Sequence, residues 1–304
     1  DSAYLIGCYY HYQRVGEVTY MEISKQKSYP IRKVKEKAFL AFCVGAAFFA
    51  VLPLVMLISY VVLKGISSLN LAFFIHVPAP LGESGGGMAN AIVGTLMIVL
   101  IGCLFSLPVG IFSGLWLAEW GKGKRGFLIR YCVDVMSGIP SIVLGIFAYI
   151  LIVLPMQRFS ALAGGFAMGL VMIPYITRAT EEMVRMVPRT LKESALALGI
   201  PEWRVSWSIV LRSAWNGIFT GVMLAIARAS GETAPLLFTA FSSLYWNFAV
   251  DQPTASMTVQ IYNYAIAPFE EWNNMAWAGS LVLVAMVLLV TITVRKFSKR
   301  VTYG

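Results

Sequence analysis

The chain alternates between long apolar runs and shorter polar connections along most of its length. Six runs come close to the ~20 residues that an α-helix needs to cross the hydrocarbon core of a bilayer. They cover residues 38–63, 91–117, 131–154, 161–177, 213–241 and 275–294. Several contain prolines, which membrane helices tolerate because neighbouring helices satisfy the freed carbonyl groups. The pattern predicts an all-α integral membrane protein with six transmembrane helices.

The basic residues are distributed asymmetrically around these runs. Of the 24 lysines and arginines, 21 lie in the N-terminal tail, the second and fourth connections and the C-terminal tail. Only Lys64 and Arg158 lie in the opposite loops. Because basic residues are retained on the cytoplasmic side, both termini are predicted to be cytoplasmic in a cell (inner or plasma) membrane. The same topology explains the net charge of +9 without a nucleic-acid partner.

This topology divides the chain into a cytoplasmic tail (1–37), a first membrane helix (38–63), a transmembrane domain (89–294) and a second cytoplasmic tail (295–304). The first tail lacks the apolar segment of a cleavable signal peptide. The sequence begins with Asp1, and Met21 is a second candidate for the native start because the basic flank of the first run follows it.

Two stretches of the predicted external connections have a distinctive composition. Residues 81–88, L-G-E-S-G-G-G-M, have the composition of a flexible loop. Residues 242–274 are polar and aromatic, which fits either a contact with an extracytoplasmic partner or a cap over the helix ends.

Common catalytic and metal-binding motifs are missing from the sequence. The four cysteines show no paired spacing, and the two histidines lie in different segments. There is no H-E-x-x-H zinc motif, no serine–lysine or aspartate dyad and no G-x-x-x-x-G-K-[ST] phosphate loop. We therefore expect no metal site, no cofactor bound by this chain and no enzyme activity.

A charged pair interrupts the fifth apolar run, which reads A-R-A-S-G-E-T-A-P around Arg228 and Glu232. A guanidinium near the bilayer centre costs roughly 2.5–3.5 kcal/mol on insertion scales. On a continuous helix, residues four apart share one face, so the two side chains are predicted to meet. Arg228 is also the one basic residue that the topology leaves inside a span. The pair is either a structural clamp or part of a pathway for an anion.

The connection at about 178–212 is long and has a helical pattern. A first helix is predicted to begin near Thr190, whose hydroxyl precedes Glu193 by three residues as in a capping box. Gly199 is predicted to end that helix, and Pro201 to begin a second one. Two short amphipathic helices suit a groove on another protein, and they equally suit the membrane surface.

The spacing within this connection resembles the EAA loop of ABC importer permeases, E-A-A-x3-G-x9-I-x-L-P. The matching residues are Glu193, Ala195, Gly199, Ile209 and Leu211, whereas Ser194 and Arg212 replace an alanine and the proline. In that family the loop forms the coupling helices that dock on the ATPase subunits. The resemblance therefore implies a coupling role for Glu193, Ala195 and Gly199.

Three further segments resemble the phosphate-specific branch of these permeases, and more narrowly its PstA-type subunits. They read S-G-I-P-S-I-V-L-G (137–145), I-P-Y-I-T-R-A-T-E-E-M (173–183) and A-R-A-S-G-E-T-A-P-L-L-F-T-A (227–240). The resemblance implies a type I ABC importer permease fold, a PstC-type second permease, a PstB-type ATPase dimer and a PstS-type phosphate-binding protein. ATP and Mg²⁺ would then be bound by the partner ATPases.

The same resemblance implicates Arg228 and Arg178 in moving inorganic phosphate. A guanidinium suits this anion because its fork of N–H donors matches a tetrahedral oxyanion. Arg178 has a second interpretation, as a basic anchor at the end of a span. Glu232 either neutralises Arg228 or accepts a hydrogen bond from protonated phosphate, and the two roles are compatible. Asp134 is interpreted as structural.

Other functions are consistent with parts of the sequence. A permease for another oxyanion, such as molybdate, tungstate or phosphonate, would share the same architecture. A membrane scaffold that reports phosphate status to a sensor could coexist with transport. An integral membrane enzyme finds no support, since the motifs it would need are missing.

Overall fold

The computed structural model describes the backbone of residues 2–80 and 85–300, and the side chains of residues 32–80 and 85–293. Every regular element in these ranges is helical, as the sequence predicts. Half of the predicted loop at 81–88, namely residues 81–84, lies outside the described residues, as do residue 1 of the first tail and residues 301–304 of the second.

The described chain contains thirteen α-helices. In order they are α1 (Ser2–Ser68), α2 (Leu71–Ile75), α3 (Ala89–Glu119), α4 (Gly123–Gly138), α5 (Ser141–Ala148), α6 (Leu154–Met156), α7 (Ala161–Arg185), α8 (Arg189–Ala197), α9 (Glu202–Val205), α10 (Leu211–Ser230), α11 (Ala234–Leu237), α12 (Met257–Ala265) and α13 (Glu270–Arg300). Two π-helical turns, Tyr149–Val153 and Ser206–Val210, join α5 to α6 and α9 to α10.

Five helical stretches of the described chain are long and apolar enough to cross a membrane: Arg32–Ser68, Ala89–Glu119, Ala161–Arg185, Glu202–Ser230 and Glu270–Thr293. A sixth crossing is possible through Gly123–Gly138 and Ser141–Met156, which are bent by 103° relative to each other. The sequence placed a single span at 131–154, and the structure breaks it. Ile139 has an extended conformation because the following Pro140 disfavours the helical region.

The chain divides after Tyr60 into two units. The described side chains of the first unit, residues 32–60, are exposed except for Gly45 and Leu52. Apolar side chains such as Phe42, Phe49 and Leu57 are more than half exposed. A helix with an apolar surface on all sides is suited to lipid, which agrees with the predicted first span at 38–63.

The second unit is built around α7, which packs against α3, α4, α5, α10 and α11. Helices α3 and α7 run parallel and approach closely because small residues line their contact. A Cβ on Gly110 would lie 2.6 Å from the side chain of Ile176, and one on Gly114 would lie 2.6 Å from the carbonyl oxygen of Thr177. Small residues allow this close backbone approach in lipid, where helices gain little from burying apolar surface.

The connection at 242–274 caps helix ends, one of its two predicted roles. The carbonyl oxygens of Val250 and Gln252 accept hydrogen bonds from Leu162 and Ala161 at the start of α7. Residues 254–260 are buried, and the amide of Met257 donates to the hydroxyl of Thr95 in α3 at 2.8 Å. The first amides of a helix have no partner within the helix, and here the connection supplies it.

The helices that contain the fourth and fifth predicted spans have bounds different from the predicted ones. The fourth span, predicted to end at residue 177, continues to Arg185 at the end of α7. The fifth, predicted at 213–241, begins at Glu202 and ends at Ser230. Gly231 follows α10 directly, and Pro235 lies in the first turn of α11. The helix therefore ends between Arg228 and Glu232.

Candidate functional site

The candidate site lies on the antiparallel pair formed by α7 and α10. The two helices are in close contact at two glycines of α10. A Cβ on Gly217 would lie 2.2 Å from the sulfur of Met183, and one on Gly221 would lie 2.2 Å from the Cβ of Ala179. Further along the pair, α7 therefore brings its residues before Ala179 to the C-terminal end of α10.

Arg228 lies in the last turn of α10, with its side chain exposed. Its guanidinium carbon is 4.7 Å from the centroid of the Tyr175 ring of α7, a cation–π contact. The negative end of the helix dipole also favours a cation at this position. Within the described residues, Arg228 forms no ion pair. It is thus a positive charge held by an aromatic ring and a helix end, without a carboxylate.

Glu232 does not meet Arg228, so the predicted side-by-side placement of the two charges was wrong. The helix ends at Ser230, between the two residues. The amide of Glu232 donates to the carbonyl oxygen of Ala229 at 3.0 Å, and its own carbonyl oxygen accepts from the Thr258 hydroxyl of α12 at 3.0 Å. The half-buried side chain forms no ion pair in the described chain.

Arg178 lies inside α7, one helical turn after Tyr175, and the structure surrounds it with acceptors. Its Nε donates to Oδ1 of Asp134 at 3.0 Å, and its Nη2 donates to the same oxygen. Its Nη1 donates to Oε2 of Glu181 at 3.1 Å. Arg178 is one third exposed and Asp134 is 59% exposed. Asp134, which was predicted to be structural, thus links α4 to α7.

Glu181 is the centre of a charge cluster that the sequence reasoning missed. Its side chain is only 2% exposed and forms ion pairs with three arginines. Arg130 of α4 and Arg185 of α7 each contact Oε1 at 2.6 Å, and Arg178 contacts Oε2. Three of these residues follow a readable helical spacing in R-A-T-E-E-M-V-R. Arg130 comes from another helix, so no local pattern could have added it.

The predicted coupling residues lie in and just after α8. Glu193 is exposed, whereas Ala195 is buried. Gly199 has φ = +78°, the left-handed conformation of a glycine that ends a helix. The predicted capping box is wrong, because α8 begins at Arg189, one residue before Thr190, and no side chain caps its first turn.

The second predicted coupling helix is not a separate short helix. Pro201 precedes α9, which continues through the π-helical turn into α10. The two parts of the connection are thus α8 and the first turns of the fifth span. Lys192 of α8 forms an ion pair with Glu119 at the end of α3, which fixes α8 to the second unit's core.

Large apolar side chains are exposed around α8. They are Met186, Leu191, Leu196, Leu198 and Trp203, each at least 41% exposed. These side chains lie close together along the chain, and exposed apolar patches mark interaction sites. The arrangement can therefore bind a protein groove at one end and an anion at Arg228 further along α10.

Comparison with solved structures agrees with this architecture. The chain is similar to the inward-facing conformation of the MetNI methionine ABC transporter, with a TM-score of 0.55 and 16% identity over 70% of this chain and 93% of that one. A second structure of that transporter gives the same TM-score at 17% identity. At this identity the likeness concerns the fold alone, which is that of a type I ABC importer permease.

Relatives found by sequence comparison share a higher identity with the chain than these structures do. A phosphate transport system permease protein PstA of Yersinia pestis is 40% identical over 281 residues, covering 92% of this chain and 95% of the relative. That of Pasteurella multocida is 41% identical over 88% of this chain and 95% of its own length, and a probable PstA of Methanocaldococcus jannaschii is 35% identical over 90% and 97%. The family model of the binding-protein-dependent transport system inner membrane component matches residues 106–303. The chain belongs to this family of inner membrane permeases and, within it, to the PstA phosphate transport permeases.

Proposed function

We propose that the chain is one of two permease subunits of an ATP-driven importer, and that it moves inorganic phosphate inward along a path containing Arg228, Glu232 and Arg178. The single observation that carries this proposal is the Arg228 guanidinium, exposed on an apolar helix and free of any carboxylate within the described residues. An ionisable group in a membrane span is costly, so such groups usually mark an ion pathway.

The chemistry of Arg228 suits phosphate. A guanidinium offers parallel N–H donors to two oxygens of a tetrahedral anion and keeps its charge at any physiological pH. Tyr175 supports the cation without neutralising it. Glu232, which does not meet Arg228 in this structure, would retain its second role, accepting a hydrogen bond from protonated phosphate. Fully deprotonated anions such as sulfate cannot donate that bond.

The family and the exposed surfaces support a set of proposed partners. A PstC-type permease would cover the exposed face of α10 that carries Arg228, and a PstB-type ATPase dimer would receive α8. A PstS-type protein would deliver phosphate from outside. This chain would bind no nucleotide, and ATP and Mg²⁺ would act in the ATPases. The positive-inside distribution supports a cytoplasmic location of both termini.

Phosphate uptake with anion competition tests the substrate. The complex, reconstituted with its ATPase and binding protein, is expected to accumulate radioactive phosphate. Because protonated phosphate can donate a hydrogen bond to a carboxylate and sulfate cannot, excess sulfate should leave the rate unchanged. Molybdate, tungstate and phosphonate in excess are expected to leave it unchanged as well. Uptake of one of these anions in preference to phosphate would contradict the assignment and favour the other oxyanion permeases.

The coupling role of Glu193 is tested by Glu193→Ala. Glu193 is exposed beside the apolar surface of α8. We expect transport-coupled ATP hydrolysis to fall about fivefold or more, which corresponds to about 1 kcal/mol of docking energy. Membrane insertion of the subunit should be unchanged. Hydrolysis is measured on the reconstituted complex with phosphate-loaded binding protein.

The matched control is Glu202→Ala, which removes another exposed carboxylate of the same connection, at one of the positions that the motif leaves unspecified. This control is expected to keep most of the coupled hydrolysis. Equal losses in the two variants would show that only the charge of the connection matters. That result would contradict a specific docking role for Glu193 and favour a helix that lies on the membrane surface.

A further inference from the structure

The two carboxylates that hold Arg178 differ sharply in their surroundings. Glu181 is 2% exposed and shares its oxygens with Arg130 and Arg185 as well. Asp134 is 59% exposed, and Arg178 is its one cationic partner among the described residues. A buried carboxylate with three partners cannot leave without uncovering several charges, whereas an exposed carboxylate with one partner can exchange with water or with another anion.

The two carboxylates also occupy different sides of the Arg178 guanidinium. Asp134 accepts through one oxygen, Oδ1, from both Nε and Nη2. Glu181 takes Nη1 at 3.1 Å. The Nε and Nη2 donors form one of the edges through which a guanidinium binds an oxyanion with two parallel hydrogen bonds. In this structure Asp134 occupies that edge.

Asp134 also lies on a helix that is not continuous with the rest of its span. It belongs to α4, five residues before Ile139, where the chain turns by 103° into α5. Arg178 belongs to α7, the central helix of the second unit. The Arg178 edge can therefore be opened either by rotation of the Asp134 side chain or by a small movement of α4 relative to α7.

We propose that Asp134 is a built-in competitor of the transported anion. When the path is empty, Asp134 binds the Nε–Nη2 edge of Arg178. The arriving anion displaces Asp134 from that edge. Asp134 binds the edge again as the anion leaves toward the cytoplasm. This inference rests on the proposed function. It makes Asp134 a positioning residue whose negative charge keeps phosphate from binding too tightly, while Glu181 holds Arg178 in place throughout.

Asp134→Asn separates charge from geometry. Asparagine keeps an oxygen where Oδ1 accepts both hydrogen bonds, but it removes the negative charge. Phosphate binding is measured on the complete complex in nanodiscs without the binding protein, using radioactive inorganic phosphate. We expect the dissociation constant to fall about tenfold, since one like charge beside the anion is removed. Asp134→Ser should act in the same direction, and Asp134→Glu should stay near the wild-type value.

The control is Glu182→Gln, which neutralises an exposed carboxylate of α7 that forms no ion pair within the described residues. It should leave the affinity unchanged. Loss of a merely structural link would weaken binding, so the expected sign distinguishes the two roles. Wild-type or weaker binding in Asp134→Asn and Asp134→Ser, with binding abolished in Arg178→Gln, overturns the competitor role and leaves the phosphate path intact. Unchanged phosphate binding and uptake in Arg178→Gln removes Arg178 from the path and overturns the competitor role with it, whereas the path at Arg228 is tested separately by Arg228→Gln.

Discussion

Replacing Arg228 by glutamine is expected to abolish phosphate uptake while the complex still assembles. The guanidinium is the cationic group in the last turn of α10, where it can attract an anion to the apolar helix pair, and it is held at Tyr175 by a cation–π contact. A charge-assisted hydrogen bond is worth about 1.5–3 kcal/mol. The loss of two such bonds therefore lowers the rate by at least about a hundredfold. Uptake of radioactive phosphate by proteoliposomes measures this rate.

The complex should still assemble with this variant because the packing of α10 against α7 does not depend on Arg228. It is exposed, it forms no ion pair in the described chain, and the contact between α7 and α10 depends on Gly217 and Gly221. Co-purification of the second permease and the ATPases with the variant checks this directly. Normal transport by the variant would remove Arg228 from the path.

Arg158→Gln is the matched control for Arg228→Gln. Arg158 is about half exposed and pairs with Asp251, which is 44% exposed. An exposed pair of this kind contributes about 0–1 kcal/mol, so uptake is expected to stay close to the wild-type rate. Equal losses of uptake in both variants would show a general effect of lost positive charge and would contradict a local role for Arg228.

The sequence was sufficient for the helical class and for the approximate position of most spans. Runs of about 20 apolar residues carry this information on their own. It also placed Gly199 correctly at the end of α8, since a glycine followed by a proline two residues later is a strong local signal. These successes all depend on features that lie close together along the chain.

The break in the third span and the end of α10 are also indicated by nearby residues, but these local signals are weaker. Pro140 and Pro235 each follow a glycine by two or four residues. The apolar character of both runs continues across these residues, so hydropathy alone predicts an unbroken helix. Because membrane helices tolerate proline within a span, a proline in an apolar run does not by itself indicate that the helix ends there. The assumed contact between Arg228 and Glu232 failed because it required helix geometry across Gly231.

The charge cluster around Glu181 could not be predicted from residues that lie close together along the chain. Arg130 and Glu181 are 51 residues apart, and Asp134 and Arg178 are 44 apart. Their contacts depend on α4 lying against α7, and the sequence pattern does not specify that packing. The structure therefore changes the interpretation of Arg178. It was predicted as a pathway residue or a basic anchor at a span end, and the structure places it inside α7 among two carboxylates.

Glu181 is the residue on which this packing depends most. It is buried and forms ion pairs with Arg130, Arg178 and Arg185. Arg130 also donates to the carbonyl oxygens of Gly121 and Leu117 at 2.9 and 2.8 Å, so it joins α4 to the end of α3 as well as to α7. Without Glu181, three guanidinium groups would lie close together with Asp134 as their one remaining carboxylate in the cluster.

Glu181→Gln is therefore expected to destabilise the subunit strongly. Removing one partner of a buried ion pair costs about 3–5 kcal/mol. The three arginines are between 23% and 53% exposed. Water can therefore hydrate them in part, so we expect about 3 kcal/mol, the lower end of that range. The thermal midpoint of the purified complex and its yield from membranes should both fall.

Glu182→Gln gives the comparison for this stability effect. It makes the same chemical change at the next residue of α7, where the side chain is exposed and forms no ion pair within the described part of the chain. The midpoint should then stay at the wild-type value. If both variants are equally stable, the three arginines do not need Glu181. In that case the contact between α4 and α7 must be held by apolar packing, and Arg178 would be kept in place by Asp134 alone.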